Sequence, residues 1–388
     1  MTDGHHGSVS ISTTRRARAG YEDLVLAELR RSGALSRAEL CRRTGLPKTT
    51  MFGVVAELLE RGAMIEQEAA GSAGRGRGRP AALVALNPSA GLYVGVDVGR
   101  RRVRLVIANA SHEVVATGLA DIAEDAVPEV VADTVVTLVR AVAERGGIGL
   151  SGLTAVGIGV VGVLGGASSS TPVEEVRRLV GEELGVAVSI GNNSRMAALA
   201  EATWGAGRQV DDLVYVRWST GIGGGFVVGG RAVTGARGGA GEIGHVSVDP
   251  NGASCHCGGR GCLEGLIGGA ALLDACAARG LALADLDALV TAAQDLSPVA
   301  CRVVDAAAAR LGRVLAGVVV QLDPQRIVVG GELAQLGSLV LDPVREAIGR
   351  LALPRVAWPV DVVQADLGVN AAALGALALL LREDEQPA

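Results

Sequence analysis

Lysine is almost missing from this chain. Lys48 is the single one among 36 Lys and Arg in 388 residues, so arginine carries nearly all the positive charge. Aromatic residues make up only 2%. No apolar run reaches about 18 residues, which excludes a membrane-spanning helix at the level of sequence. The first 20 residues are polar and contain Arg without an apolar centre, so a secretory signal is not expected and a cytoplasmic location is. Charged residues stop at 20% while hydrophobic ones reach 49%, a balance that excludes global disorder and allows sizeable cores. A length of 388 residues suggests two or three domains, at roughly 100–200 residues each. Cysteine is scarce at six, yet three of the six fall between Cys255 and Cys262. In a cytoplasmic chain such clustering favours a metal over disulfides.

Net charge is −5, which alone argues against nucleic acid as a partner. Its distribution says otherwise. Residues 1–80 hold 13 Lys and Arg against 9 Asp and Glu, a net +4, and the rest of the chain is acidic. A basic head on an acidic body suits a DNA-binding module joined to a sensor or enzyme.

Residues 1–20 read as a flexible arm and 21–87 as a winged helix-turn-helix. The pattern predicts a helix from Tyr21 to Ser32, with Leu24, Leu26, Ala27 and Leu29 available for its core and Gly33 stopping it. Ser36 is placed to cap a second helix, with Glu39 three residues later completing a capping box. Gly45 makes the turn, and Pro47 opens a third helix running to Glu60. Met51, Val54, Val55, Leu58 and Leu59 follow the helical period and form its buried stripe. That leaves Lys48, Thr49, Phe52 and Gly53 facing outward, with Lys48 and Thr49 at the end from which base-edge contacts usually start. Gly71 to Pro80 then precedes a short strand from Ala81 to Leu86, as a wing would. Arg75, Arg77 and Arg79 alternate with glycine there and suit phosphate and minor-groove contact. The plainer alternative is that these arginines are a solvated linker.

From Leu92 onward strands and helices alternate, which argues for α/β architecture. Strands are expected at 94–98, 103–109, 156–161, 213–217, 225–228 and 326–329. Helices are expected at 126–144, 173–184, 270–279, 299–322 and 371–381. The division read from this is a first lobe over 88–190, closed by a helix at 366–382, and a second lobe over 191–365.

The sharpest motif is His245 followed by Cys255-His256-Cys257-Gly258-Gly259-Arg260-Gly261-Cys262. Four such ligands suit tetrahedral Zn²⁺, and the glycines let the chain fold back on one ion. The expected ligands are His245, Cys255, Cys257 and Cys262. His256 could compete but is wedged between two ligands and is expected to point outward. A closed site of this kind is structural. Cys41, Cys276 and Cys301 lie in helical patterns and read as small core residues.

Together with Gly76-Arg77-Gly78-Arg79-Pro80, Gly241-Glu242-Ile243-Gly244-His245 and Gly330-Gly331, this motif makes the chain from about Tyr21 to Leu381 resemble the repressor branch of the ROK family (repressor, open reading frame, kinase). The resemblance implies an actin-like, two-lobed sugar-kinase fold with a sugar cleft between the lobes. It also implies double-stranded operator DNA and a sugar or sugar phosphate as partners. It places Asn192, Glu242, His245 and Glu264 at positions that contact sugar hydroxyls. Glu242 and Glu264 could equally support the zinc ligands.

Departures from the kinase pattern are specific. The phosphate turn reads Asp97-Val98-Gly99-Arg100-Arg101, where two bulky Arg replace the Gly and Thr whose backbone would close on phosphate. The stretch that carries the catalytic Asp reads Gly191-Asn192-Asn193-Ser194-Arg195. Asn193 stands at the base position, and an amide cannot take a proton from a hydroxyl; loss of a general base costs about 10²–10⁴ in rate. The glycine-rich turn Ser219–Gly225 survives. Gly165 to Ser170 replaces a longer segment that brings a sugar-facing Asn in the family. The expectation is therefore a non-enzymatic regulator that assembles as a homodimer or higher homo-oligomer to read paired half-sites. Two alternatives stand beside it: an active ATP-dependent sugar kinase, and a ligand-independent regulator controlled by a protein partner.

Overall fold

The computed structural model describes residues 21–22, 24–60, 62–67, 82–109, 113–162, 173–208, 210–352 and 360–383. The three largest hydrophobic clusters among them lie in the basic head and under each of two five-stranded sheets, and two smaller ones lie where the helices between the sheets pack.

The head begins with a helix, α1, helical over 24–32 and stopped at Gly33, whose φ of 74° is a left-handed value that glycine adopts without strain. Its core face keeps Leu29 and the half-buried Leu26 of the sequence expectation but takes Val25 in place of Leu24. Val25 and Leu29, four residues apart, are buried, whereas Leu24 is 48% exposed. The short strand β1 (Leu35–Ser36) leads to α2 (Arg37–Thr44) and α3 (Lys48–Glu60). Ser36 caps α2 by accepting from the Glu39 amide at 3.2 Å, a contact worth about 1 kcal/mol. The capping box is only half formed, because the Glu39 carboxylate is taken by Arg43 at 2.6 Å and by Arg42. Met51, Val54, Val55 and Leu58 form the buried stripe of α3, and Leu59 is half-buried. Strands β2 (Met64–Gln67) and β3 (Leu83–Leu86) pair antiparallel, with Met64 opposite Leu86 and Gln67 opposite Leu83, and β1 pairs with the far edge of β3. Helices and hairpin thus follow the order of a winged unit. Arg75, Arg77, Arg79 and the arm at 1–20 lie outside the described residues.

The two large sheets repeat one plan. In the first, β4 (Leu92–Val98), β5 (Arg102–Asn109) and β6 (Val114–Asp121) form an antiparallel meander, and β7 (Leu153–Val160) and β8 (Ala187–Asn192) run parallel to β4. In the second, β9 (Leu213–Trp218), β10 (Ile222–Val228) and β11 (Arg231–Ala232) form the meander, and β12 (Arg326–Gly330) and β13 (Asp361–Gln364) run parallel to β9. Strand order is third, second, first, fourth, fifth in both, the duplicated sheet of an actin-like fold. Helices α4 (Pro128–Arg145) and α5 (Val173–Leu184) cover one face of the first sheet. The second is covered by α7 (Glu264–Ile267), α8 (Gly269–Ala277), α9 (Leu286–Gln294), α10 (Pro298–Leu322) and α11 (Ser338–Leu351).

The remaining two helices lie between the sheets. Helix α6 (Asn193–Trp204) follows the last strand of the first sheet but packs on β9 and β10. Helix α12 (Ala371–Glu383) follows the last strand of the second sheet but packs on β4 and β7. Glycine makes this close approach possible. A Cβ at Gly95 would stand 2.0 Å from the Ala373 carbonyl, and one at Gly375 would stand within van der Waals overlap of the Met196 backbone. The sequence shows no amphipathic period for α6, because Asn193, Ser194 and Arg195 open it and residues 193–201 are buried on every side. Among the described residues no helix is long and apolar enough to cross a membrane.

Candidate functional site

The segment 245–262 folds back on itself. Ser247 bridges to Cys262 and Ser254 to Arg260, and left-handed glycines at 258 (φ 89°) and 261 (φ 58°) turn the chain between them. The result brings the His245 Nδ1 to 3.6 Å from Cys255 Sγ, and Cys257 Sγ to 3.6 Å from Cys262 Sγ. All four ligand atoms lie within 4.8 Å of one another. Zn–S bonds near 2.3 Å and Zn–N bonds near 2.0 Å at tetrahedral angles require ligand separations of roughly 3.6–3.8 Å. The cluster therefore fits a tetrahedral ion, and the sulfurs are too far apart to be disulfide-bonded. Burial pushes the Cys262 thiol up to about 12, while the Gly259 amide, donating at 3.4 Å, helps hold the Cys257 thiol below its ordinary value. His256 is exposed but does not simply point outward: its Nδ1 is 3.9 Å from Cys255 Sγ and 3.7 Å from Glu264 Oε1, so His245, His256 and Glu264 form a second group that could hold an ion.

Glu242, His245 and Glu264 are brought together beside this cluster. Burial pushes the Glu242 carboxyl above its ordinary range; His245 and Arg195 pull it back, and Glu264 adds repulsion. Glu264 also fastens the glycine-rich turn, accepting from the Ile222 amide at 2.7 Å. Asn192 is the N-cap of α6: its Oδ1 accepts from the Ser194 and Arg195 amides at 2.9 and 3.0 Å, and its Nδ2 donates to the Gly162 carbonyl at 2.9 Å. Arg195 was not singled out by spacing. It is buried in the first turn of α6, donates to the Gly238 carbonyl, and burial lowers its pKa against the opposing pull of Glu242.

Asp97, 1% exposed, ends up beside Asn193, whose Nδ2 donates to Asp97 Oδ1 at 3.1 Å. Arg217 on β9 stands 4.0 Å from the other Asp97 oxygen, so the pair joins the two sheets. Arg100 and Arg101 lie at the tip of the β4–β5 hairpin with their side chains 50% and 82% exposed, both against Glu124. The shortened stretch Gly165–Ser170 lies outside the described residues.

In the head, Lys48, Thr49, Phe52 and Gly53 all lie on the exposed face of α3. Phe52 is 58% exposed, and the Arg37 guanidinium lies 5.7 Å from its ring centroid. Arg37 begins α2 and carried no spacing signal in the sequence; only the helix crossing puts it beside α3. Behind this face Glu28 ties α1 to α2, accepting from Arg43 at 3.1 Å, Ser32 at 2.8 Å and Arg31 at 2.8 Å.

The chain is 26% identical over 368 residues to the xylose repressor of Bacillus subtilis, covering 93% of this chain and 94% of that protein. It is 27% identical over 378 residues to the DNA-binding transcriptional dual regulator NagC of Escherichia coli, covering 90% and 89%. A crystal structure of a ROK family transcriptional regulator, a homologue of the E. coli MLC protein, matches with a TM-score of 0.78 at 23% identity, over 95% of this chain and 98% of that one; at this identity the likeness is one of fold. The ROK family model itself matches residues 93–383, a span that takes in both sheets and the Cys/His cluster, and the chain belongs to the ROK family.

Proposed function

We propose that this protein is a cytoplasmic DNA-binding transcriptional repressor whose sensor holds a structural Zn²⁺ and responds to a sugar or sugar phosphate. The observation that carries this reading is the union, in one chain, of an exposed α3 face on a winged unit with a two-lobed actin-like sensor. Relatives matched over nine-tenths of the chain are named for repression or transcriptional regulation, which supports it. The DNA unit comprises 21–87, with Lys48, Thr49, Phe52 and Gly53 toward the major groove and Arg75, Arg77 and Arg79 on the wing. The first lobe comprises 88–190 with the helix at 366–382, and the second 191–365. The active species is a homodimer or higher homo-oligomer on paired half-sites.

His245, Cys255, Cys257 and Cys262 would hold the zinc, which supplies a rigid cross-link across the segment bordering Glu242 and Glu264. Those two carboxylates and His245 suit a polyhydroxylated ligand, because vicinal hydroxyls offer paired donors and acceptors. Asn192 contributes chiefly by capping α6, with one Nδ2 hydrogen left for a ligand.

Phosphoryl transfer does not belong to this reading. Asn193 has no proton-accepting role to play, and its amide is engaged by Asp97. A carboxylate, Glu264, already occupies the Ile222 amide of the remaining glycine-rich turn, where a phosphate would need it. Operator selection with the purified protein, repeated with a panel of sugars and sugar phosphates, tests the reading. Recovery of a specific palindrome whose occupancy one sugar lowers is the expected result. Sequence-indifferent binding, unaffected by every sugar, would overturn it.

A further inference from the structure

On the exposed face of α3 the polar side chains stop early. Lys48 and Thr49 open it. The exposed positions one and two turns on are Phe52, Gly53 and Ala56, and none of these carries a hydrogen-bonding side chain. Phe52 is 58% exposed, more than any other large apolar residue described in the head. Its ring is backed by the Arg37 guanidinium, 5.7 Å from the centroid, and Arg37 Nη2 is itself tied to Glu66 Oε1 at 2.6 Å. Gly53 is a second and independent observation. It lies inside a helix of 13 residues, where glycine is less stable than alanine. Its φ is not left-handed, and a Cβ there would meet nothing within 4 Å. Neither backbone strain nor packing within the protein calls for a glycine at this position. Close approach of an external surface to the helix backbone does.

We infer that Phe52 reads a thymine in each operator half-site, its ring against the 5-methyl group of the base, with Gly53 giving the helix the clearance to bring it there. In the major groove every base pair presents donors and acceptors, and only thymine adds an apolar group. A ring flanked by Gly53 and Ala56 cannot answer a donor or an acceptor. Set against one, it would displace water and replace no hydrogen bond, which disfavours the other bases. Against a methyl it removes apolar surface from water on both sides. Lys48 stands four residues before Phe52 and so on the same strip of the helix, and residues 1–80 are basic, which favours DNA over an apolar protein surface as the occupant.

Thymine recognition rests on the DNA-binding reading of α3, and the test separates the two. In the operator recovered by selection, each thymine is replaced in turn, in both half-sites, by deoxyuridine, which removes the methyl and leaves the hydrogen-bonding groups unchanged. Full-length wild type is expected to lose affinity at one position, by about fourfold per half-site for a buried methyl and so about fifteenfold for the pair. Phe52→Ser is expected to bind the unsubstituted operator more weakly and to be indifferent to deoxyuridine at that position, which ties the loss to ring and methyl together. Gly53→Ala is expected to slow hydrogen exchange across residues 48–60 by about four- to fivefold, because alanine strengthens a helix, and yet to bind the operator at least tenfold more weakly. If wild type prefers operator to scrambled DNA but no deoxyuridine weakens it, thymine recognition is wrong and the DNA-binding reading stands. If wild type does not tell operator from scrambled DNA, both fall. A deoxyuridine effect that persists in Phe52→Ser takes the methyl away from this ring, and Gly53→Ala binding as tightly as wild type removes the close approach. Unchanged operator binding by Phe52→Ser would also overturn the proposal and leave the exposed ring to a protein partner.

Discussion

Asn193 donates its side-chain amide to the Asp97 carboxylate across 3.1 Å, and both residues are almost fully buried. An amide is the right partner there, because it donates without adding charge. Asn193→Asp would set two carboxylates against each other, and one would bind a proton with a raised pKa. A raised folded-state value means that stability relative to wild type is lost as pH rises through it. The variant is expected to unfold earlier than wild type at pH 8, by a margin that shrinks toward pH 5, and to show no sugar-dependent ADP release. Robust turnover in a coupled ADP assay would show that the missing base was the only defect.

One zinc per chain is expected on elemental analysis of metal-replete protein. Cys257→Ser should lose the metal and lower the thermal midpoint by several degrees, since structural zinc contributes folding free energy directly. A strong chelator should reproduce the shift in wild type and leave the variant unchanged. Full metal content in Cys257→Ser would remove this cysteine from the ligand set.

Acid should loosen the head before the lobes. Burial pushes the Glu28 carboxyl up, but the Ser32 hydroxyl and the Arg43 and Arg31 guanidiniums outweigh it and hold it below the usual range. With the folded value lowered, the stabilisation is present above the unfolded carboxyl range, near pH 4.3, and is lost as pH falls through the lowered value. Hydrogen exchange in residues 24–67 should accelerate in that window. Glu28→Gln should speed it already at neutral pH, by an amount equivalent to about 1.5–3 kcal/mol, and flatten the acid response.

Two kinds of DNA contact should separate by mutation. Arg77→Ala is expected to weaken binding to operator and scrambled DNA alike and to lower the salt slope by about one unit per subunit bound. Lys48→Ala or Thr49→Ala should instead blur discrimination at a few operator positions, by roughly 1–3 kcal/mol for a lost base contact. A salt series with both DNAs decides the matter. If Arg77→Ala matches wild type on each, the stretch around it is a linker.

Local chemistry made much of this protein legible from sequence alone. Ser36, Gly33 and Gly45 mark helix ends because a capping hydroxyl and a left-handed turn are properties of single residues. The metal ligands could be read because three of them lie within eight positions, so the loop that gathers them is itself local. Tertiary structure decided what depends on residues far apart in the chain. Which side of α1 is buried was one such matter: Leu24 and Val25 are equally apolar, and only the position of α2 and α3 exposes the first and covers the second. Glu201 is another, a buried carboxylate that accepts from the amides of Ala206, Asp366 and Leu367 and so anchors the entry to α12 from 165 residues away. The exchange of α6 and α12 between sheets, and with it the meeting of Asp97 with Asn193 and Arg217, has no local signature. Burial and charge pairing are properties of surfaces brought together by folding, and a linear spacing of residue types does not record which surfaces meet.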